Sequence, residues 1–280
     1  MKIIVAKSMG FCFGVEKAIK TVEELLNNGK KVITDGEIVH NKHVMNHLIE
    51  KGLRIVSKIS KDADAVFAVR AHGIPKDKLE QLKRNYSKVV DLTCPIVHRL
   101  FKTAQEYSSK GKIIVFGKEN HPEMIALKGY TPAIVTKKPF RTTEKKVVFL
   151  SQTTSSIEEY KKFVAEMIKM NDFEEVIYLN TICPVTIERE KEIEKLSKIC
   201  DVCIVIGGKH SSNTGKLFQI ASNNTKTLWI ESQDELPNDV VKYGTVCVFS
   251  GTSTPISLIE DVIRKLKEME GKDHGTNGIQ

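Results

Sequence analysis

Short runs of β-branched and aliphatic residues alternate with helix-length amphipathic stretches along this whole chain, and few folds accept that order. Strand-like runs occupy residues 2–6, 31–34, 65–69, 89–91, 112–116, 147–150, 176–179, 202–206, 227–230 and 246–250. Helical patterns lie between them at 15–27, 76–85, 100–109, 157–170, 186–198 and 256–269. Strand–helix alternation of this kind calls for parallel sheets joined by crossover helices. The runs are apolar on both faces, as a sheet covered on two sides requires. The expected class is α/β with mostly parallel sheets.

One local pattern recurs. Val89-Val90-Asp91-Leu92-Thr93-Cys94-Pro95 reads as a strand, a Cys-Pro turn and a helix start, and Val176-Ile177-Tyr178-Leu179-Asn180-Thr181-Ile182-Cys183-Pro184 reads the same way. Gly10-Phe11-Cys12-Phe13-Gly14 precedes the first long helix in a related manner, with Gly10 and Gly14 letting the backbone bend around Cys12. The cysteines are separated by 82 residues (94 − 12) and 89 residues (183 − 94). Near-equal spacing suggests three similar α/β units around a common centre. The expected division is 1–97, carrying Cys12 and Cys94, then 98–182 and 183–271, with a flexible tail at 272–280.

Each Cys-Pro puts a sulfur at a helix N-terminus, where proline is well tolerated. The partial positive charge of that end favours a thiolate. Three such thiolates suit a 4Fe–4S cluster with one iron left open to act as a Lewis acid, whereas four cysteines are usual for pure electron transfer. Two other readings remain: the cysteines are small buried hydrophobes, or they bind zinc, although structural zinc sites use closely spaced ligand pairs. The one Cys-x-x-Cys, Cys200-Asp201-Val202-Cys203, opens an apolar strand run, so its sulfurs are expected to diverge. Burial is the expectation for Cys200, Cys203 and Cys247.

Six cysteines in 280 residues are too sparse for a disulfide scaffold. No run of about 18 apolar residues is present, and the first residues form too short an apolar stretch for a signal peptide. A cytoplasmic protein without a membrane span is expected. The net charge of +8 comes from lysines spread over segments such as 189–198, and aromatics are only 6%, so a nucleic-acid partner is disfavoured.

Several polar clusters end strand-like runs, where α/β folds place ligands. His40, His72 and His121 stand in Val39-His40-Asn41, Ala71-His72-Gly73 and Asn120-His121-Pro122-Glu123. Gln152-Thr153-Thr154 follows one strand, Ser211-Ser212-Asn213 another, and Ser250-Gly251-Thr252-Ser253-Thr254-Pro255 a third. Helix starts rich in Ser, Thr and Gly suit phosphate, although such residues also serve as simple caps. Glu123 has a plain alternative as a solvated first-turn residue. With no nucleotide-binding glycine motif, a small anion held by histidines and hydroxyls fits best.

Taken together these motifs resemble the IspH/LytB family of 4-hydroxy-3-methylbut-2-enyl diphosphate reductases, from Gly10 to Pro255. The resemblance implies a trefoil of three α/β units around a central 4Fe–4S cluster with three cysteine ligands, Cys12, Cys94 and Cys183, and one open iron. It also implies reduction of a small allylic diphosphate, with two electrons and two protons, to isopentenyl and dimethylallyl diphosphate in the last step of the methylerythritol phosphate route. By matching motifs, His40, His72, His121, Thr153, Thr154, Ser211, Ser212, Asn213 and Ser253 become substrate-binding residues. Glu123 becomes the catalytic residue that delivers protons. An external electron donor such as ferredoxin or flavodoxin is implied. The sequence departs from the family at Ala71, at His210 in place of an asparagine, and at Pro184; none removes a ligand or the acid. The competing readings are an iron–sulfur dehydratase, which needs no net electron input, and a zinc- or RNA-binding module.

Overall fold

A computed structural model of the chain describes residues 1–276, with side chains up to residue 271. Three four-stranded, all-parallel sheets share one strand order. The first contains β2 (Lys31–Thr34), β3 (Arg54–Ile55), β4 (Ala65–Val69) and β5 (Lys88–Asp91), in the order β3-β2-β4-β5. The second contains β6 (Lys112–Phe116), β7 (Ala133–Thr136), β8 (Lys146–Ser151) and β9 (Glu175–Tyr178), in the order β7-β6-β8-β9. The third contains β10 (Val202–Ile206), β11 (Lys226–Ile230) and β12 (Thr245–Ser250), in the order β11-β10-β12, and its fourth place is taken by the N-terminal strand β1 (Lys2–Val5). Lys2 stands opposite Thr245 and Val5 opposite Val248. The sheets are therefore not filled in strictly consecutive thirds. The repeat is closed by a strand from the other end of the chain.

Nine helices occur among the described residues: α1 (Phe13–Asn27), α2 (Lys42–Glu50), α3 (Lys76–Asn85), α4 (Pro95–Tyr107), α5 (Pro122–Lys128), α6 (Ile157–Met170), α7 (Pro184–Leu196), α8 (Ser212–Ser222) and α9 (Ile256–Thr276). None is long and apolar enough to cross a membrane. Of the expected tail, residues 277–280 lie outside the described residues, and α9 continues to Thr276. Strands β3 and β7 and helix α2 stand outside the expected elements, while α5 follows Pro122 as the first-turn reading of Glu123 requires. The strands are short edges of two and four residues, and α2 has only nine residues, so its apolar stripe of Val44, Met45 and Leu48 is brief.

Side chains alternate across each strand, so both faces of a parallel sheet must be covered. In the third sheet, Val202, Ile204 and Ile206 pack with Ile259, Val262 and Leu266 of α9. Cys203 and Val205, on the other face, pack with Ile193 of α7 and with Leu217 and Ala221 of α8. In the second sheet, Ile113, Val115, Val148 and Leu150 meet Leu100, Phe101 and Ala104 of α4. Each fully buried Phe or Leu of this kind contributes about 1.5–3 kcal/mol.

The chain packs into two compact units. One comprises Met1–Phe13, His40–Val44 and the residues from Val185 onward, and holds the third sheet. The other comprises Gly14–Val39 and Met45–Pro184, and holds the first two.

Candidate active site

The three singled-out cysteines follow the corresponding edge strands β1, β5 and β9, and each main-chain N–H is latched in the same way. It donates to the carbonyl of the second residue beyond the neighbouring strand: Cys12 to Thr252 after β12 (3.1 Å), Cys94 to Ala71 after β4 (3.0 Å) and Cys183 to Thr153 after β8 (2.8 Å). The next residues in those loops are Ser253, His72 and Thr154. Parallel sheets thus bring each cysteine beside a predicted ligand at the carboxyl ends of the strands.

The two Cys-Pro turns share a further device. Asp91 Oδ1 accepts the Thr93 N–H at 2.9 Å and its hydroxyl at 2.5 Å, and Asn180 Oδ1 accepts the Ile182 N–H at 3.1 Å. Both are side-chain turns of the Asx type. Burial pushes the Asp91 carboxyl up, but hydrogen bonds from His98 and Thr93 outweigh it and hold the group at about 2. Asp91 therefore stays ionised and keeps the turn closed. Pro95 and Pro184 then open α4 and α7.

All six cysteines carry thiols rather than disulfides, yet they differ in setting. Cys12, Cys94 and Cys183 are half-buried, whereas Cys200, Cys203 and Cys247 are buried. Burial pushes the Cys203 and Cys247 thiols well above their ordinary range, which keeps them protonated and poor metal ligands. The Cys200 and Cys203 sulfurs do not diverge as expected: they lie 3.4 Å apart. Cys200 precedes β10, so its side chain is free of the strand's alternation.

Gly10 adopts φ of +77°, a left-handed conformation that lets the backbone bend before Cys12. Gly14 has a different role from the expected bend. It lies in α1, and a Cβ there would stand 2.7 Å from the Cys94 sulfur. Glycine at this position leaves room for the Cys94 thiol.

In the unit carrying Cys94 and Cys183, His72 and His121 meet edge to face with ring centroids 5.5 Å apart. His121 caps α5: its Nδ1 accepts the Glu123 N–H at 3.2 Å, which assigns the ring proton of the neutral tautomer to Nε2. Glu123 is 1% exposed, which removes the solvated reading. Its Oε1 accepts the Thr153 N–H at 2.8 Å and its Oε2 the Thr153 hydroxyl at 2.7 Å. Burial pushes the Glu123 carboxyl up to about 7, against the two Thr153 hydrogen bonds, which favour the ionised form. A buried acid poised there can give up a proton near neutral pH. Gln152, not singled out from the sequence beyond its motif, donates to the Thr154 hydroxyl at 3.1 Å and accepts the Lys118 N–H at 3.0 Å, so it orients Thr154.

In the unit carrying Cys12, the Ser253 hydroxyl donates to the His40 carbonyl at 3.2 Å. Ser211 caps α8 by accepting the Thr214 N–H at 3.2 Å, and Ser212 and Asn213 form the first turn of the helix. The cap uses an oxygen lone pair and leaves the Ser211 hydroxyl proton to donate. Asn213 is 4% exposed, and its Nδ2 has no hydrogen-bond partner among the described residues. An orphaned buried donor costs about 1–3 kcal/mol. An anion at the α8 N-terminus would satisfy it, as helix starts favour.

The chain as a whole is similar to known proteins over nearly its entire length. The family model described as LytB protein matches residues 3–267. A 4-hydroxy-3-methylbut-2-enyl diphosphate reductase of Thermotoga neapolitana is 72% identical over the full length of both chains. A solved structure of (E)-4-hydroxy-3-methyl-but-2-enyl diphosphate reductase, the terminal enzyme of the non-mevalonate pathway, has a TM-score of 0.70 and 33% identity, covering 96% of this chain and 100% of that one. The E-1-hydroxy-2-methyl-but-2-enyl-4-diphosphate reductase from Plasmodium falciparum has a TM-score of 0.84 and 25% identity, covering 94% and 87%. With a family model matching nearly end to end and a full-length relative this similar, the chain belongs to the LytB family.

Proposed function

We propose that this chain reduces 4-hydroxy-3-methylbut-2-enyl diphosphate, replacing its allylic hydroxyl by hydrogen. The hydroxylated C5 diphosphate, two electrons and two protons give water and either isopentenyl or dimethylallyl diphosphate. Family membership implies an iron–sulfur cofactor and an electron donor. Cys12, Cys94 and Cys183 would hold a 4Fe–4S cluster. Their half-buried thiols at helix starts fit an anionic assembly, and the buried, protonated Cys203 and Cys247 do not. When bound, such a cluster supplies electrons and, at the iron without a protein thiolate, a Lewis-acid position for oxygen.

The remaining chemistry belongs to side chains. His40, His72 and His121, with Ser211, Ser212, Asn213, Ser253 and Thr154, offer N–H and O–H donors for the diphosphate oxygens, where charge-assisted bonds are strong. Glu123 holds the proton that the departing hydroxyl takes to leave as water. Thr153 then stabilises the carboxylate through its N–H and hydroxyl. Protonation of the allylic carbon skeleton at either of two carbons yields the two products. The donor is a low-potential carrier such as ferredoxin or flavodoxin, and the reaction runs in the cytoplasm.

The observation that most supports this reading is the double role of Thr153, which binds the Glu123 carboxylate with its donors and the Cys183 N–H with its carbonyl. Anaerobic protein with intact iron and sulfide, given the C5 diphosphate and a chemical reductant, should form both products. No turnover would overturn the assignment. Equal turnover without reductant would mean a dehydratase.

A further inference from the structure

Helix α7 begins directly after Cys183 and carries Glu188, Arg189 and Glu192, residue types that are mostly exposed in proteins. Arg189 is instead 4% exposed. Its Nη2 donates to the Gly10 carbonyl at 2.8 Å and its Nη1 to the Ser250 carbonyl at 3.0 Å. Gly10 is two residues before Cys12, and Ser250 three before Ser253. The same two loops are tied directly: the Gly10 N–H donates to the Ser250 hydroxyl at 2.9 Å, and the Cys12 N–H to the Thr252 carbonyl. Glu192 grips the start of the Cys12 loop, accepting the Lys7 and Ser8 N–H groups at 2.7 and 3.0 Å, and Glu188 accepts the Ser8 hydroxyl at 2.9 Å.

We propose that Arg189 is a positioning residue whose guanidinium fork locks the Cys12 loop to the Ser250–Ser253 loop. A cluster thiol and a diphosphate hydroxyl are thereby held as one body. The inference rests on the reading of Cys12 as a cluster ligand and Ser253 as a diphosphate contact. A rigid planar fork can bridge two carbonyls, whereas a lysine ammonium on a flexible stem is a single point donor. Arg189 remains charged at any working pH, so both bonds are charge-assisted. The two loops come from opposite ends of the chain, and this side chain bridges them in addition to their direct hydrogen bonds.

The test uses anaerobic cluster-loaded protein and Arg189→Lys, which keeps the charge and most of the stem. Two readouts are followed: affinity for inorganic diphosphate, and the EPR line positions of the reduced cluster. The expected result is a fall in diphosphate affinity on the order of ten-fold, together with displaced EPR lines. A variant that only melts earlier, with wild-type affinity and wild-type lines, overturns the proposal. Should Arg189→Lys not fold, Glu192→Ala decides, since its half-buried carboxylate grips the same loop. The same two changes are expected at smaller size, and neither appearing overturns the proposal. Two controls carry the underlying reading. Full iron in Cys12→Ser together with unchanged diphosphate affinity in Ser253→Ala would overturn that reading and this inference with it. Iron loss and weaker binding in those controls, with a silent Arg189→Lys and Glu192→Ala, would overturn this inference alone.

Discussion

Thr153 holds Glu123 by both carboxylate oxygens, its N–H on Oε1 at 2.8 Å and its hydroxyl on Oε2 at 2.7 Å. The Thr153 carbonyl meanwhile accepts the Cys183 N–H at 2.8 Å. One residue therefore sets the acid's orientation and the height of a cysteine loop. The hydrogen bonds leave the carboxyl at about 7 rather than higher, because they oppose burial.

Glu123→Gln should assemble its cluster and bind diphosphate, yet turn over ~10²–10⁴-fold more slowly, the usual worth of a positioned general acid. Single-turnover reduction with pre-reduced protein isolates that step from the electron donor. A wild-type rate there would remove Glu123 from proton delivery.

The same group should make stability depend on pH. The Glu123 carboxyl moves from an ordinary 4.5 to about 7 on folding, so the folded chain binds the extra proton between those values. Stability should then fall as pH rises through that window, by an amount on the order of 3 kcal/mol before other groups are counted. Glu123→Gln, which has no carboxyl to ionise, should lose this decline. Urea midpoints from pH 4.5 to 8 in both proteins check it, and parallel curves would count against a buried neutral acid.

Ser211 and Asn213 separate capping from binding. Ser211→Ala removes the α8 cap, which should cost the free protein about 1 kcal/mol, and it also removes a hydroxyl donor to the diphosphate. Asn213→Ala removes the orphaned buried donor, so the free protein should lose little stability. Inorganic diphosphate should raise the thermal midpoint of the wild type by linkage and lose most of that effect in Asn213→Ala. A full shift in Asn213→Ala would mean that the anion sits elsewhere.

Gly14→Ala places a methyl 2.7 Å from the Cys94 sulfur. The first turn of α1 keeps its helical geometry, and alanine favours helix by about 1 kcal/mol over glycine. The chain should fold, therefore, while the displaced thiol lowers iron content. Wild-type iron in Gly14→Ala would show that the Cys94 side chain has freedom to move.

Much of this was legible in the sequence because parallel sheets leave continuous apolar runs. Val202–Ile206 and Ala65–Val69 coincide with strands β10 and β4. The place of β1 beside β12 was not legible, because alternation fixes an element's type but not its partner. The cysteine latches were hidden for a related reason: the acceptors are carbonyls of Ala71, Thr153 and Thr252, and a carbonyl leaves no mark on residue identity. Arg189 was hidden among the charges of α7, since only the approach of Gly10 and Ser250 from distant parts of the chain makes its burial tolerable. The Cys200–Cys203 contact was not legible because strand alternation begins only at Val202, two residues after Cys200.

Anaerobic iron and acid-labile sulfide analysis of the six single Cys→Ser proteins tests the assignment of the cluster most directly. Cys12→Ser, Cys94→Ser and Cys183→Ser should each lose the cluster, and Cys200→Ser, Cys203→Ser and Cys247→Ser should keep about four irons and four sulfides, as one 4Fe–4S cluster requires. Wild-type iron in Cys94→Ser, or iron lost only from the Cys200, Cys203 and Cys247 variants, would contradict it.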